Sequence, residues 1–532
     1  MKKKFGITLM ALLLVAALGG CAGGKNPEDK SSEASNTTAE SSAPGQQSVD
    51  PNASKDAKYG GKVVVGVQQD IDSLDPHKAT AAGTKEILFN IFEGLLKVNE
   101  NGSLICAVAS DYSVSEDGLT YTFTLRDNVK FHNGNNVTAE DVKYSLERAS
   151  GLLDGTPLIS SLKTLKSVDI VDEHTVQVTT ESANLELIYS FTTAIIPKGS
   201  GEAEGSNPIG TGPFSFVSYK PQEGLVVKKN PYYWQEGLPY LDEVNFKIVS
   251  GADSALLELK GHSIDLYSYL TDSQAAELAN DYQILAAPSD ALQALFLNNA
   301  EAPFTDVRVR QAVCYAMDRD LANEFVTGGN SAIISAPMLP TLKDYYEDLN
   351  GIYGTGANVE KAKQLLTEAG YPNGIEFSVK VPSNYEAHVQ TAEVLADQMK
   401  AANINLKIEL VDWNTWLEDV YKGRKYVATL CAITSDMTPS YLMVRFQSGH
   451  GKNFINFAST AYDEAYQKAE KSMKLDEKAG FYKQAEKIFV EEAGTAFIQD
   501  PPITIALNKD LAGYKFYPIY VQDMSTVYFT NK

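Results

Sequence analysis

The segment Ile404-Asn405-Leu406-Lys407-Ile408-Glu409-Leu410 alternates apolar and polar side chains at every position. A period of two is the pattern of a β-strand with one buried face. Before it, residues 386–402 collect their apolar side chains on one helical face. After it, residues 413–422 predict a second helix and residues 426–431 a further strand. Helices that alternate with strands in this way predict a mixed α/β (α+β) fold with a βαβ-type sheet region.

The first half of the chain is richer in strands and turns. Residues 62–67 form a β-branched run, and residues 121–125 and 175–179 alternate bulky apolar side chains with polar ones. Asp117-Gly118 predicts a hairpin turn before the second of these strands. The 532 residues correspond to about three or four domains of ordinary size.

Charge and motif content exclude several classes of function. The net charge of −22 would repel a polyanion, so we expect no nucleic acid partner. The sequence has no His-Glu-x-x-His, no Gly-x-Ser-x-Gly and no Walker A motif, and its six histidines lack metal-ligand spacing. We therefore expect neither an enzyme nor a bound metal or cofactor.

The four cysteines do not form a disulfide scaffold. Besides Cys21 the chain has Cys106, Cys314 and Cys431, an odd number, so at least one of the three is free or pairs between chains. Cys314 and Cys431 lie in apolar segments and are expected as buried thiols, although a bridge between them stays open.

The N-terminus has the pattern of an export signal. Three lysines precede a short apolar run that ends in Leu18-Gly19-Gly20-Cys21. This ending resembles the lipobox of bacterial lipoproteins, in which the cysteine receives the lipid. We expect a signal peptide over residues 1–20, lipidation of Cys21 and a flexible tether over residues 21–58, which lack aromatic side chains. A plain secreted protein is the alternative.

An ordered series of motifs resembles one family of binding proteins. It begins with residues 71–77 (IDSLDPH), 91–96 (IFEGLL), 115–126 (SEDGLTYTFTLR) and 129–134 (VKFHNG). It continues with residues 210–214 (GTGPF), 230–234 (NPYYW) and 303–312 (PFTDVRVRQA). The series resembles the oligopeptide/dipeptide/nickel-binding solute-binding proteins (family 5) of ABC importers.

The resemblance implies a two-lobed, periplasmic-binding-protein-like fold of type II with an extra domain on lobe I. Mapped onto this chain, lobe I takes residues 59–95, 206–296 and 500–532. The extra domain takes residues 96–205, and lobe II takes residues 299–498. The hinge is expected near residues 297–299 and again near residues 499–502. Ligand would sit between the lobes, and closure would bury it.

The resemblance also implies a function and candidate ligand contacts. A monomer would capture peptides at the outer face of the cell membrane and deliver them to ABC transporter permease subunits. The family has an acidic segment that pairs with the peptide ammonium, and it corresponds here to Thr434-Ser435-Asp436-Met437-Thr438-Pro439. When the segment is aligned on Pro439, Ser435 and Thr438 replace the two family acids, and Asp436 lies one position away from the first of them. Trp413 matches a family tryptophan at the cleft, whereas Trp416 is expected in the core. Tyr441 and Arg445 follow at helical spacing, and Arg445 would suit a peptide carboxylate.

Other functions stay open at this point. The same fold would also suit a non-peptide solute, such as an oligosaccharide or a metal–chelate complex. A peptide-pheromone receptor would share every feature described above. An extracellular hydrolase on a lipid anchor is the least favoured, because the motifs of nucleophilic and metal-dependent hydrolases are missing from the sequence.

Overall fold

The computed structural model describes residues 59–531. The signal peptide, Cys21 and the tether predicted over residues 1–58 lie outside this range. Within it, no helix combines the length and the apolar character needed to cross a membrane.

The first large sheet has seven strands. Its central strand Lys62–Val67 pairs in parallel with Glu243–Ile248 on one side and with Leu266–Tyr267 on the other. The alternating valines of this strand are fully buried, which fixes one face of the sheet against its helices. The strands, in order across the sheet, are Tyr282–Pro288, Pro502–Asn508, Leu266–Tyr267, Lys62–Val67, Glu243–Ile248, Gly224–Lys229 and Phe214–Lys220.

The second large sheet has six strands and includes the segment with the alternating pattern. Ile404–Val411 pairs in parallel with Ile375–Pro382, so the predicted βαβ-type region is confirmed. The strands, in order across the sheet, are Ala332–Ile333, Ala496–Asp500, Ala291–Leu297, Ala428–Thr434, Ile375–Pro382 and Ile404–Val411.

The chain passes between the two large sheets earlier than the sequence predicts. Ala291–Leu297 pairs with Ala428–Thr434 of the six-stranded sheet, so the first crossing lies at Ser289 and Asp290, not at residues 297–299. All seven side chains of this strand are buried, and such a run does not show which sheet it joins. A first-lobe boundary at residue 296 therefore does not match the sheet pairing. The return crossing at Pro501 lies inside the predicted range 499–502.

A separate antiparallel sheet of four strands lies between residues 109 and 180. Its strands, in order across the sheet, are Ala109–Val114, Thr120–Leu125, Thr175–Thr180 and Leu165–Asp172. Helix Ala139–Ser150 packs on it and begins with a capping box, in which Thr138 and Asp141 bond to each other's backbone N–H groups. This sheet encloses a core of its own, with Phe123 and Phe191 in an edge-to-face contact.

The helices match the predicted ones in the second half of the chain. The predicted helix 386–402 is present as Glu386–Gln398 followed by the 3₁₀ turn Met399–Ala402. The predicted helix 413–422 is present as Trp413–Thr415 followed by a wider π-helical stretch, Trp416–Lys422. The other α-helices are Ala82–Leu88, Ala252–Lys260, Asp272–Leu278, Val307–Ala316, Arg319–Thr327, Asn350–Tyr353, Val359–Glu368, Pro439–Met443, Thr460–Lys471 and Leu475–Glu491.

Three cysteines lie in the described part of the chain, and all are free thiols. Cys314 and Cys431 are buried, as predicted for apolar side chains, and they do not form the bridge that the sequence left open. Burial raises the pKa of the Cys314 thiol to about 12, so this group is not a reactive thiolate at neutral pH.

Candidate functional site

A cavity of about 920 Å³ lies where the three sheets meet. Its lining combines segments of the seven-stranded sheet, of the six-stranded sheet and of the four-stranded domain. This volume is within the usual range for small-molecule sites, about 300–1,000 Å³. Its wall is rich in aromatic side chains: Phe89, Phe92, Tyr189, Tyr269, Tyr385, Trp413, Trp416, Tyr421, Tyr441, Phe454, Tyr466 and Tyr520.

Two stacked tryptophans form part of this wall. Asp412 directly follows strand Ile404–Val411 and caps the helix start by accepting the Thr415 N–H at 3.1 Å. The rings of Trp413 and Trp416 then stack with centroids 5.1 Å apart. Trp416 is buried and donates its indole N–H to Thr429 Oγ1 at 2.9 Å, whereas Trp413 is half-buried and faces Tyr385 edge-on. The sequence prediction of a core Trp416 agrees with this burial, and Trp413 lines the cavity.

Asp436 lies in the loop that follows strand Ala428–Thr434. Its Oδ1 accepts the Thr438 N–H at 3.1 Å and the Thr438 hydroxyl at 2.6 Å. Its Oδ2 has no hydrogen bond or ion pair within the described residues. The side chain is open to the cavity, yet the enclosing walls shield it from bulk water, and this burial raises the pKa of Asp436 to about 6. A carboxylate in this position would gain from a cationic partner.

The short helix Pro439–Met443 follows Asp436 and carries Tyr441, and Arg445 lies in the 3₁₀ turn Val444–Phe446 directly after it. Proline at its first position suits a helix start, because it needs no hydrogen-bond partner for its nitrogen. The guanidinium carbon of Arg445 lies 4.6 Å from the ring centroid of Tyr441. Arg445 is 7% exposed and donates to the Tyr421 hydroxyl at 3.3 Å, but its Nε has no hydrogen-bond partner.

The four residues predicted from the sequence therefore all line one cavity: Trp413, Asp436, Tyr441 and Arg445. The two family positions where this sequence lacks an acid, Ser435 and Thr438, are buried beside them. Thr438 holds Asp436 through the two hydrogen bonds described above, which is a role that a polar but uncharged residue can fill.

Sequence reasoning missed several residues of the site. Lys452 places its Nζ 4.8 Å from the Tyr441 ring centroid, on the same aromatic ring as Arg445. Glu186, from the four-stranded domain, accepts the Ser440 N–H at 2.9 Å and so holds the start of helix Pro439–Met443. Tyr385 donates to Gln69 of the seven-stranded sheet at 3.2 Å. Glu186 and Tyr385 meet partners hundreds of positions away, and no local pattern signals such a pairing.

Metal binding has no support from the side chains in residues 59–531. No group of three histidine, cysteine, aspartate or glutamate side chains is close enough there to hold an ion. The chemistry that the cavity offers is recognition by carboxylates such as Asp436, by several cations and by stacked aromatic rings.

This chain is similar to several known proteins whose names or structures specify a ligand. The glutathione-binding protein GsiB of Salmonella typhi is 26% identical over 476 residues, which cover 86% of this chain and 92% of that protein. The ABC transporter-associated periplasmic binding protein DppA from Helicobacter pylori, solved with the peptide STSA, has a TM-score of 0.79 at 24% identity and covers 89% of this chain and 99% of its own. The binding protein AgaA from A. tumefacien R10, solved with agropinic acid, has a TM-score of 0.78 at 25% identity. The match covers 88% of this chain and 99% of the AgaA chain.

These likenesses confirm the predicted mixed α/β fold of the periplasmic-binding-protein type. The family model for "Bacterial extracellular solute-binding proteins, family 5 Middle" matches residues 103–454, which include the four-stranded sheet and the cavity residues Trp413, Asp436, Tyr441 and Arg445. The chain belongs to the bacterial extracellular solute-binding proteins of family 5.

Proposed function

We propose that this protein captures a short peptide in the 920 Å³ cavity and delivers it to the permease of an ABC transporter. The observation that carries the proposal is Asp436, whose Oδ2 is open to a cavity rich in aromatic side chains. A peptide α-ammonium is a cation of suitable size for this oxygen. The proposal is supported by GsiB, named as a glutathione-binding protein, and by DppA, solved with a peptide.

Asp436 would act as the anchor for the amino end of the peptide. Burial disfavours the charged form of this carboxyl and raises its pKa to about 6. A bound ammonium favours the charged form and would lower that pKa again. Binding would therefore weaken below about pH 6, where the carboxyl becomes protonated and can no longer pair with the ammonium.

Trp413 and Tyr441 would supply apolar contact to the body of the peptide. Both rings are half-buried and line the cavity, so a ligand side chain or backbone can cover what remains exposed. Each ring offers a broad apolar face, and such a wall suits a binder that accepts more than one peptide. The protein would bind its ligand without transforming it.

Capture would depend on movement of two lobes about a hinge. One lobe would comprise the seven-stranded sheet with the four-stranded domain, and the other the six-stranded sheet over residues 291–500. The hinge would lie at the two places where the chain crosses between the large sheets, near Ser289 and near Pro501. Closure of such a hinge buries ligand and creates the form that a permease recognises.

The protein would work outside the cytoplasmic membrane, held there by lipid on Cys21. The tether over residues 21–58 would let the binding domain reach the permease from a fixed anchor. This part of the proposal rests on the sequence Leu18-Gly19-Gly20-Cys21.

A non-peptide anion is the second candidate for the ligand. It is favoured by the likeness to AgaA, which was solved with agropinic acid, and by the unpaired Arg445 in the cavity wall. Unlike a peptide, such a ligand need not have an α-ammonium that pairs with Asp436.

Mass spectrometry of small molecules released from the purified, denatured protein tests the proposal. We expect short peptides, present in proportion to the protein and absent from an Asp436→Asn preparation made in the same way. Small-angle scattering should then show a smaller radius of gyration after one such peptide is added back. Release of only non-peptide molecules, unchanged by Asp436→Asn, would contradict peptide capture.

A further inference from the structure

The unpaired cations of the cavity outnumber its unpaired carboxylates, although the whole chain has a net charge of −22. Lys97 is paired with Glu93 at 3.0 Å, and Glu186 with the buried Lys478 at 2.8 Å. Glu470 also lies within ion-pair distance of Lys478. Among residues 59–531, the cavity side chains left without an ion pair are the cations Arg445, Lys452, Lys85 and Lys163 and the carboxylates Asp436 and Glu386.

Two of these cations lie against one aromatic ring. The ring centroid of Tyr441 is 4.6 Å from the Arg445 guanidinium carbon and 4.8 Å from Lys452 Nζ. Burial and the nearby Arg445 lower the pKa of Lys452 and outweigh the opposite effect of Tyr441 and Asp436. Burial raises the pKa of Tyr441, but Arg445, Lys85 and Lys452 outweigh it, so the net shift is downward.

Arg445 is the best-formed part of this cluster. It is more than nine-tenths buried, lines the cavity, and leaves Nε without a hydrogen-bond partner. Its single hydrogen bond goes to the neutral hydroxyl of Tyr421. A buried guanidinium is costly unless an anion accepts its fork of N–H donors, and within the described residues no carboxylate does so.

We propose that Arg445 and Lys452 form an anion subsite and that the protein selects ligands bearing an acidic group close to their amino end. The inference rests on the proposed peptide capture and adds the class of peptide. Asp436 precedes helix Pro439–Met443 and Arg445 follows it, so both groups flank the same short helix and face the same cavity. A ligand whose ammonium meets Asp436 then has its neighbouring carboxylate within reach of the two cations.

Calorimetric titration with two peptides of equal size tests this selection. Glu-Ala-Ala and Gln-Ala-Ala differ by a single charge at the first side chain. We expect the wild type to bind Glu-Ala-Ala about tenfold more tightly or better, because a charge-assisted pair replaces a neutral contact. Lys452→Gln and Arg445→Gln should each reduce that preference to less than about threefold. Lys407→Gln removes one exposed positive charge outside the cavity and should leave the preference unchanged.

The outcomes separate this inference from peptide capture itself. Equal affinity of the wild type for the two peptides would overturn the anion subsite and leave peptide capture standing. A preference that survives in Lys452→Gln, or that is lost equally in Lys407→Gln, would also overturn it, because the general field of the protein would then explain the selection. Failure of both peptides to bind would remove the proposed function, and the inference with it. Should Arg445→Gln not fold, Lys452→Gln decides alone, since its Nζ makes no hydrogen bond within residues 59–531.

Discussion

Lys478 Nζ lies 2.8 Å from Glu186 Oε1, with 0% of the lysine side chain and 6% of the glutamate side chain exposed. Glu186 also accepts the Tyr482 hydroxyl at 3.0 Å and the Ser440 N–H at 2.9 Å. This buried pair therefore joins the segment after the four-stranded sheet to helix Leu475–Glu491 and to the helix that carries Tyr441.

Replacing Lys478 should expose how much stability depends on this pair. Lys478→Met leaves Glu186 buried without its counter-charge, which typically costs about 3–5 kcal/mol of unfolding free energy. Chemical denaturation monitored by circular dichroism measures that loss. Lys474→Met, at the residue directly before the same helix, where the lysine side chain is 78% exposed, is the matched control and should change stability little. A similar small effect of both variants would show that Glu186 is satisfied without the lysine.

Substitution of the two stacked tryptophans should affect stability and peptide binding differently. Trp416→Ala removes a buried ring and its hydrogen bond to Thr429, and should cost about 3–5 kcal/mol of unfolding free energy. Trp413→Ala should reduce stability much less, because that ring is half-buried, but should weaken binding of free and N-acetylated peptides equally. Denaturation and calorimetry of both variants check this. If Trp413→Ala left peptide affinity unchanged, the ring would be only part of the wall.

Asp500 should give the protein a pH-dependent stability. Its Oδ1 accepts the Ser289 hydroxyl at 2.8 Å and the Ala291 N–H at 3.1 Å, at the crossing between the large sheets. Burial raises the pKa of Asp500 to about 7, so the folded state holds a proton that the unfolded state releases near pH 4. Stability from this group is therefore present at low pH and is lost as pH rises through about 7, with a limiting slope of about 1.4 kcal/mol per pH unit.

Asp500→Asn keeps an oxygen for both hydrogen bonds and removes the buried charge. We expect this variant to melt at a higher temperature than the wild type at pH 8, with a difference that shrinks as the pH falls and closes only near about pH 4, where the unfolded carboxyl is protonated as well. Differential scanning calorimetry across that range is the measurement. A constant offset between the two proteins at every pH would show that the pKa of Asp500 is the same in the folded and unfolded states.

Lipid anchoring depends on Cys21. Cys21→Ser should abolish incorporation of radiolabelled palmitate and release the protein from the membrane fraction once the signal peptide is cut. Cys106→Ser is a control that should leave both properties unchanged, because Cys106 lies within the folded domain. Palmitate that still enters Cys21→Ser would show that the lipobox resemblance misled the assignment.

Local patterns predicted much of the fold, and the family resemblance pointed to four residues of the cavity wall, Trp413, Asp436, Tyr441 and Arg445. The strand Ile404–Val411 and its flanking helices follow from periodicity, because one face of each is buried. Trp413 and Asp436 each follow the end of a strand in the same sheet, where short-range sequence fixes their position. Contacts between residues far apart in the chain could not be predicted from the sequence. Glu186 lies almost 300 positions from Lys478, its partner in helix Leu475–Glu491, and the fully buried strand Ala291–Leu297 has no exposed face to reveal its register.

Calorimetric titration of the wild type and Asp436→Asn, each with a free tripeptide and its N-acetylated form, tests the central claim most directly. Asp436→Asn removes the charge and keeps the shape. We expect the free peptide to lose affinity by roughly 2–5 kcal/mol in the variant, and acetylation to cost the wild type a similar amount. The two changes together should cost no more than either alone, because both delete one interaction. A variant that bound the free peptide as tightly as the wild type would contradict the assignment of Asp436 to the peptide ammonium.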